Sequence, residues 1–331
     1  MMRTLGVLPM LALACALASA ISLGCQAAEI IDPAAVQDDP DFRTQGEYLG
    51  EGPVFGDRPQ KVGVQVVALG DAKFEAYVLA GGLPGEGWKR GEQRVRLEGR
   101  RNDGTTLLEG EGWQAKIAEG RLTLRRGEGK EARLKRVERT SPTLSAKPPQ
   151  GAKVLFDGTS VEHFVGGVLS PLGTLMAGTT TKDKFNSYKL HLEFCLSYMP
   201  HARGQGRSNS GVYVHDCYEV QVLDSFGLEG RDNECGGIYS IRSVDLNMCL
   251  PPLVWQTFDV ELTAPKYDAA GKKAANARIT VRHNGVAIHD DYELPRNNGG
   301  RDTEGPGPRP IHFQAHGNKV QYRNIWLVEK P

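Results

Sequence analysis

The chain has no surplus of charge, since 40 Lys and Arg balance 40 Asp and Glu. No electrostatic argument therefore favours nucleic acid or an anionic membrane surface as a partner. No amphipathic helix of useful length is visible, which argues against a helical fold. Residues 46–139 contain neither His nor Cys. That removes imidazole chemistry and the commonest soft metal ligands from the first half. No Cys-x-x-Cys pair occurs, so a Cys-bound zinc is not expected. His312 and His316 are four apart on a predicted strand, which is not the helical zinc pattern. The apolar run Leu5–Ala20 is too short to read as a membrane span.

Glycine, by contrast, is abundant at 40 residues. It falls mostly in turn-like contexts between short apolar runs, the pattern of an all-β chain. Arg3 followed by the run to Ala20 reads as a targeting segment over residues 1–28. Export to the periplasm or the medium is the expectation. Ser22-Leu23-Gly24-Cys25 is an imperfect lipoprotein box, so a lipid anchor on Cys25 is the alternative to cleavage. An exported chain can form disulfides. Cys195, Cys217, Cys235 and Cys249 allow three pairings that sequence does not decide. Cys195 and Cys217 are candidates for cross-strand neighbours, and Cys235 and Cys249 for closing a loop.

Three segments follow. Residues 29–139 hold short strands divided by Gly-Asp, Gly-Gly, Asn-Asp-Gly and Glu-Gly turns. They predict a small antiparallel domain: a meander, barrel or sandwich. Trp88 and Trp113 are read as core rather than as sugar platforms. Residues 140–150, TSPTLSAKPPQ, predict an extended Pro-rich spacer. Residues 151–331 hold all eight His and about ten predicted strands, as two packed sheets of a jelly roll require. Among these, Arg278–His283 and Val286–Tyr292 are joined by Asn284-Gly285, a strong hairpin signal.

Chemistry concentrates in Arg203–Ser225, RGQGRSNSGVYVHDCYEVQVLDS. A polar loop feeds one strand, a turn at His215–Asp216, and a second strand. Period-two alternation puts Glu219 and Gln221 together on one face. A carboxylate beside an amide suits a polyhydroxylated ligand, because each group grips hydroxyls at fixed spacing. Two further strands offer polar sets: His191 with Glu193, and His312, Gln314 and His316. If all three sets line one sheet, they form a cleft equipped for acid–base work. Arg203 and Arg207 either orient an anionic intermediate or pair with nearby carboxylates. His289, Asp290 and Asp291 are read as a surface strand end rather than a cation site.

These segments, with VLFDGTS at 154–160, NECGGIY at 233–239, ARITVRHNGVAIHDDYELP at 277–295 and FQAHGNKVQYRNIWLVEK at 313–330, resemble the 3-keto-disaccharide hydrolase domain family over residues 152–331. The resemblance implies a concanavalin A-like jelly roll. It also implies action on glycosides already oxidised at C3 by a separate dehydrogenase. No cofactor is expected, with a divalent cation left open. From the strand faces, Glu219 is the expected base or acid, His316 its partner and Glu193 the reserve carboxylate. Arg207, Asn209, Gln221, Arg203, Tyr213 and Gln314 are the expected substrate contacts. A non-catalytic carbohydrate-binding module is the alternative. An ordinary endo-glycosidase, which needs two acids flanking the bond, is a third reading.

Overall fold

The computed structural model describes residues 29–299 and 301–330. The targeting segment and the lipid box at Cys25 lie outside the described residues. The expected all-β class is what the chain adopts: a jelly-roll sandwich preceded by a smaller antiparallel domain.

The smaller domain is a closed barrel. Its strands are β1 (Gly46–Gly52), β2 (Gln60–Gly70), β3 (Lys73–Ala80), β4 (Arg94–Asn102), β5 (Thr105–Gly110), β6 (Trp113–Ala118), β7 (Arg121–Arg126) and β8 (Lys130–Val137). Each pairs with the next, except that closure comes from β1 pairing with both β2 and β8. Alternation drives it. Val95, Leu97, Leu108, Ala115, Ile117, Leu122, Leu124 and Leu134 point inward and are buried, with Trp113 among them. Each large aliphatic side chain so buried contributes about 1.5–3 kcal/mol. Closure removes the exposed edges that a meander would leave.

In the sandwich, the strands are β9 (Lys153–Phe156), β10 (Phe164–Val165), β11 (Leu175–Met176), β12 (Thr179–Thr181), β13 (Tyr188–Cys195), β14 (Ser210–Val214), β15 (Tyr218–Val222), β16 (Trp255–Thr263), β17 (Ala277–His283), β18 (Val286–Leu294), β19 (His312–Phe313) and β20 (Gln321–Glu329). The larger sheet runs β9-β20-β13-β16-β17-β18, with β11 also on β20. The smaller runs β10-β12-β19-β14-β15. Leu190, Leu192 and Phe194 from one sheet and Val212, Val220, Val222 and Phe313 from the other meet in one core.

Two expectations change here. Residues 140–150 are not a free spacer but are laid along the outer face of the larger sheet. Ser141 Oγ meets Thr257 Oγ1 at 2.6 Å and Thr143 Oγ1 donates to Asp259 at 2.9 Å. The main chain of Ser145 and Ala146 bonds Glu193 and Asn324. Cys195 and Cys217 are not cross-strand neighbours, because β13 lies in the larger sheet and Cys217 leads into β15 of the smaller one. All four cysteines are buried thiols.

Candidate active site

The β14–β15 hairpin carries the centre of the site. Its turn has three residues, His215–Cys217, between paired Val214 and Tyr218, and His215 and Asp216 take positive φ. That turn sets the register, pairing Tyr213 with Glu219 and Gly211 with Gln221. Strand β19 lies beside β14 and pairs His312 with Tyr213. Paired residues share a face, so Thr180, His312, Tyr213 and Glu219 form one row across the outer face of the smaller sheet.

Glu219 is only 3 % exposed. Its carboxylate lies flat over Gly211, where a Cβ would stand 2.4 Å from Oε1. From above it is capped by Gly299, whose Cβ would stand 2.5 Å from Oε2. A side chain at either position would displace the carboxylate, and at Gly299 the Tyr213 ring as well. The Tyr213 hydroxyl bridges Glu219 Oε2 at 3.0 Å and the Gly299 carbonyl at 3.1 Å, and accepts from Gln314 Nε2 at 3.0 Å. Burial, only partly offset by the Tyr213 hydroxyl, pushes the Glu219 carboxyl from 4.5 up to about 7. Burial and the Glu219 charge push the Tyr213 phenol up as well. His312 bonds Thr180 Oγ1 at 2.8 Å through Nδ1. Burial, then the charge of Arg301, pushes its imidazole down to about 4, so it is neutral at pH 7.

The loop that supplies Gly299 is tied to this hairpin. Asn298 accepts from Glu219 N at 2.7 Å and donates to the Glu219 and Tyr239 carbonyls. Arg301 Nε donates to Asp216 at 2.7 Å. No protein partner for its Nη groups is found among the described residues. Beside the row, Gln205 acts as a hub. It accepts from Gln221 Nε2 at 3.0 Å and from Asn209 Nδ2, and donates to the Asn233 carbonyl at 2.7 Å. Two carbonyl oxygens, Asn209 Oδ1 and Gln314 Oε1, are buried with no donor among the described residues. Such acceptors are what hydroxyl groups of a sugar would satisfy.

Expected residues thus divide. Glu219, Tyr213, Gln314, Gln221 and Asn209 are brought together on one face. Glu193 is not with them. It sits on β13, on the outer face of the opposite sheet, and is held by Ser145 N, Asn324 Nδ2 and Arg323 Nε. Burial acts to raise its carboxyl, but His191 at 3.9 Å and the bonds from Asn324, Arg323 and Ser145 hold it down to about 2. Alternation correctly turned both carboxylates away from the core; the two sheets turn them to opposite sides. His316 is exposed on the bend after β19, since that strand ends at Phe313, and no hydrogen bond or ion pair joins it to Glu219. Arg203 is used up on the main-chain oxygens of Leu69, Pro200 and Ala202. Arg207 is buried beneath the rim, paired with Asp224 at 2.6 Å. His289 is a buried core histidine bonded to the Gly236 carbonyl. Gln205, Asn298, Gly299 and Arg301 escaped the sequence reading. Of these, only Gln205 stood inside the polar stretch that the reading had marked.

Among the described residues no three His, Cys, Asp or Glu side chains are grouped as a metal ion would need. No described helix is long and apolar enough to cross a membrane. A concavity of about 760 Å³ lies on the barrel wall around Arg100, Leu107, Lys116 and Arg133, away from this chemistry.

Comparison with known proteins adds to this geometry. Residues 151–328 match the model of the 3-keto-alpha-glucoside-1,2-lyase-like domain. A crystal structure from Parabacteroides distasonis, provisionally assigned as a glycosyl hydrolase, superposes with a TM-score of 0.50 at 27% identity, over 55% of this chain and 85% of that one. A second, given the same provisional assignment and from the same organism, has a TM-score of 0.40 at 16% identity, over 59% and 99% of the two chains. None of the curated proteins matches.

Proposed function

Since the chain belongs to the family of 3-keto-alpha-glucoside-1,2-lyase-like domains, we propose that it cleaves glycosides already oxidised to a ketone at C3. The family and the solved neighbour support a carbohydrate-processing role. The finer assignment rests on one observation: the Glu219 carboxylate is buried between two glycines against a tyrosine hydroxyl, where burial pushes its carboxyl up to about 7.

A C3 ketone acidifies the C2 proton. Glu219 as carboxylate removes it, and the electron pair moves onto the C3 oxygen as an enolate. The enolate collapses, the C1–O bond breaks, and the leaving oxygen takes a proton. Water then adds at C1 of the enone, completing net hydrolysis. A base with a pKa near the working pH exists in both forms, so one group can take a proton and return it. Tyr213 shares a hydrogen bond with that carboxylate and sits where it can pass the proton on. Arg301 supplies fixed positive charge toward the Tyr213–His312 side, suited to the enolate. Asn209 Oδ1 and Gln314 Oε1 accept sugar hydroxyls. No oxocarbenium ion is needed, so the separation rule for paired acids in ordinary glycosidases does not apply.

The test is release of aglycone from a 3-keto-glucoside. Glu219→Gln is expected to lower kcat by roughly 10²–10⁴-fold while keeping the native fold. Near-normal turnover by the variant removes Glu219 from the mechanism. Tight binding by wild type without release favours a carbohydrate-binding module instead.

A further inference from the structure

We propose that the N-terminal barrel is a built-in brace for the sugar-binding rim of the sandwich. On this reading, the placement of Gln205, Asn209 and Gln221 depends on contacts made by barrel strands. The proposal takes the outer face of the smaller sheet as the site.

Three contacts carry it. The first is Phe226, in the segment leaving β15. It is 2% exposed and packs among Val67, Tyr77, Leu79 and Trp88 of the barrel. The next residue lies flat on the barrel wall. A Cβ at Gly227 would stand 2.8 Å from Val67 and 3.1 Å from the Tyr77 ring. Arg94 stacks on that ring at 3.7 Å and donates to the Gly227 carbonyl. Arg90 donates to the carbonyls of Gly230 and Val244. The same segment carries Asp224, whose carboxylate holds Arg207 at 2.6 Å, and whose N–H donates to the Arg207 carbonyl. Both side chains are buried. An unbroken path therefore runs from the barrel through Phe226 and Asp224 to Arg207, two residues from Asn209.

The second contact is the β2–β3 hairpin. Arg203 Nη2 donates to the Leu69 carbonyl at 2.9 Å. A Cβ at Gly70 would fall 2.3 Å from the His201 ring. The third is Tyr198, which is part of the barrel's own apolar core and meets Phe42 edge-on at 5.2 Å. The rim segment 198–209 is thus held by the barrel at Tyr198, His201 and Arg203, and through Asp224 at Arg207. Gln205 lies between the last two holds, and through it Asn209 and Gln221 are joined. A barrel that merely accompanied the sandwich would not need to seat both segments that border the site. Phe226 and Arg94 are positioning residues, since neither touches the sugar face.

Two variants test this. Phe226→Ala empties the contact, and Arg94→Met keeps the stack on Tyr77 but removes the donor to Gly227. Amide hydrogen exchange of the free protein is read at residues 203–209 and at β13 and β16. The expected result is exchange roughly tenfold faster at 203–209 in both variants, with β13 and β16 unchanged. On a 3-keto-glucoside, KM should rise roughly tenfold while kcat holds within about threefold. The pH profile should not move, and Phe226→Leu should restore most of the loss. Unchanged exchange at 203–209, or equal acceleration in the sheet strands, overturns the proposal. If Phe226→Ala does not fold, Arg94→Met decides. If wild type turns over no 3-keto-glycoside, the proposed function falls, and the exchange measurement still decides the brace.

Discussion

The surroundings of Glu219 cost the fold stability. Its folded carboxyl holds a proton up to about pH 7, against an ordinary value of 4.5. A group that binds its proton more tightly when folded adds stability fully below the unfolded pKa. That stability is lost as the pH rises through the folded one. Glutamine at this position carries no such penalty. Glu219→Gln is therefore expected to be more stable than wild type at pH 8 by about 3 kcal/mol, the two converging near pH 4. Urea unfolding across that range checks it, and parallel curves would show that no such shift exists. The same carboxylate serves as base only when ionised, so kcat/KM should fall below about pH 7. A stability cost at the residue proposed to react is what a functional site is expected to show. Alternation made the pairing of Glu219 with Gln221 legible, because the hairpin keeps a strict period of two. It could not show that Gly299 would close over the carboxylate, since that contact spans 80 positions of sequence with no pattern linking them.

On the scale of strands and segments, Glu193 shows what periodicity leaves open. A period of two gives inward or outward, never which of two sheets. Here the outward face of β13 receives residues 141–146, and Glu193 is the anchor for that segment and for β20. Glu193→Gln should lower stability at pH 7 by about 2 kcal/mol, the cost of a lost charged hydrogen bond, while KM and kcat stay as in wild type. A drop in kcat of Glu219 size would return Glu193 to the mechanism. Because its folded carboxyl is held to about 2, its contribution is present above the ordinary 4.5 and fades as the pH falls toward 2. Strand β1 was illegible for another reason. Its sequence GEYLGEG reads as a loop, yet Gly50 and Gly52 are where the backbone of β8 comes too close for a Cβ. Without that strand, a meander could not be told from a barrel.

At the scale of the whole molecule, the barrel and the sandwich share apolar contacts at Phe226 and Tyr198. The connecting segment is bonded to the larger sheet over residues 141–146 rather than loose. Scanning calorimetry should therefore show one cooperative transition; two separated peaks would mean that the domains stand independently. The all-β character is legible in composition and turn spacing, because it follows from local pattern. The mutual seating of barrel and sandwich was hidden, because it depends on single residues such as Phe226 far from the strands they meet. One further consequence concerns the order in which the chain is made. Strand β20, made after the other described strands of the sandwich, is not at an edge but lies between β9 and β13 inside the larger sheet. Its Gln321 also reaches back to the carbonyl of Ile31, 290 positions earlier. The sandwich cannot zip up behind the ribosome, and a chain halted before residue 321 lacks the rib on which its neighbours close.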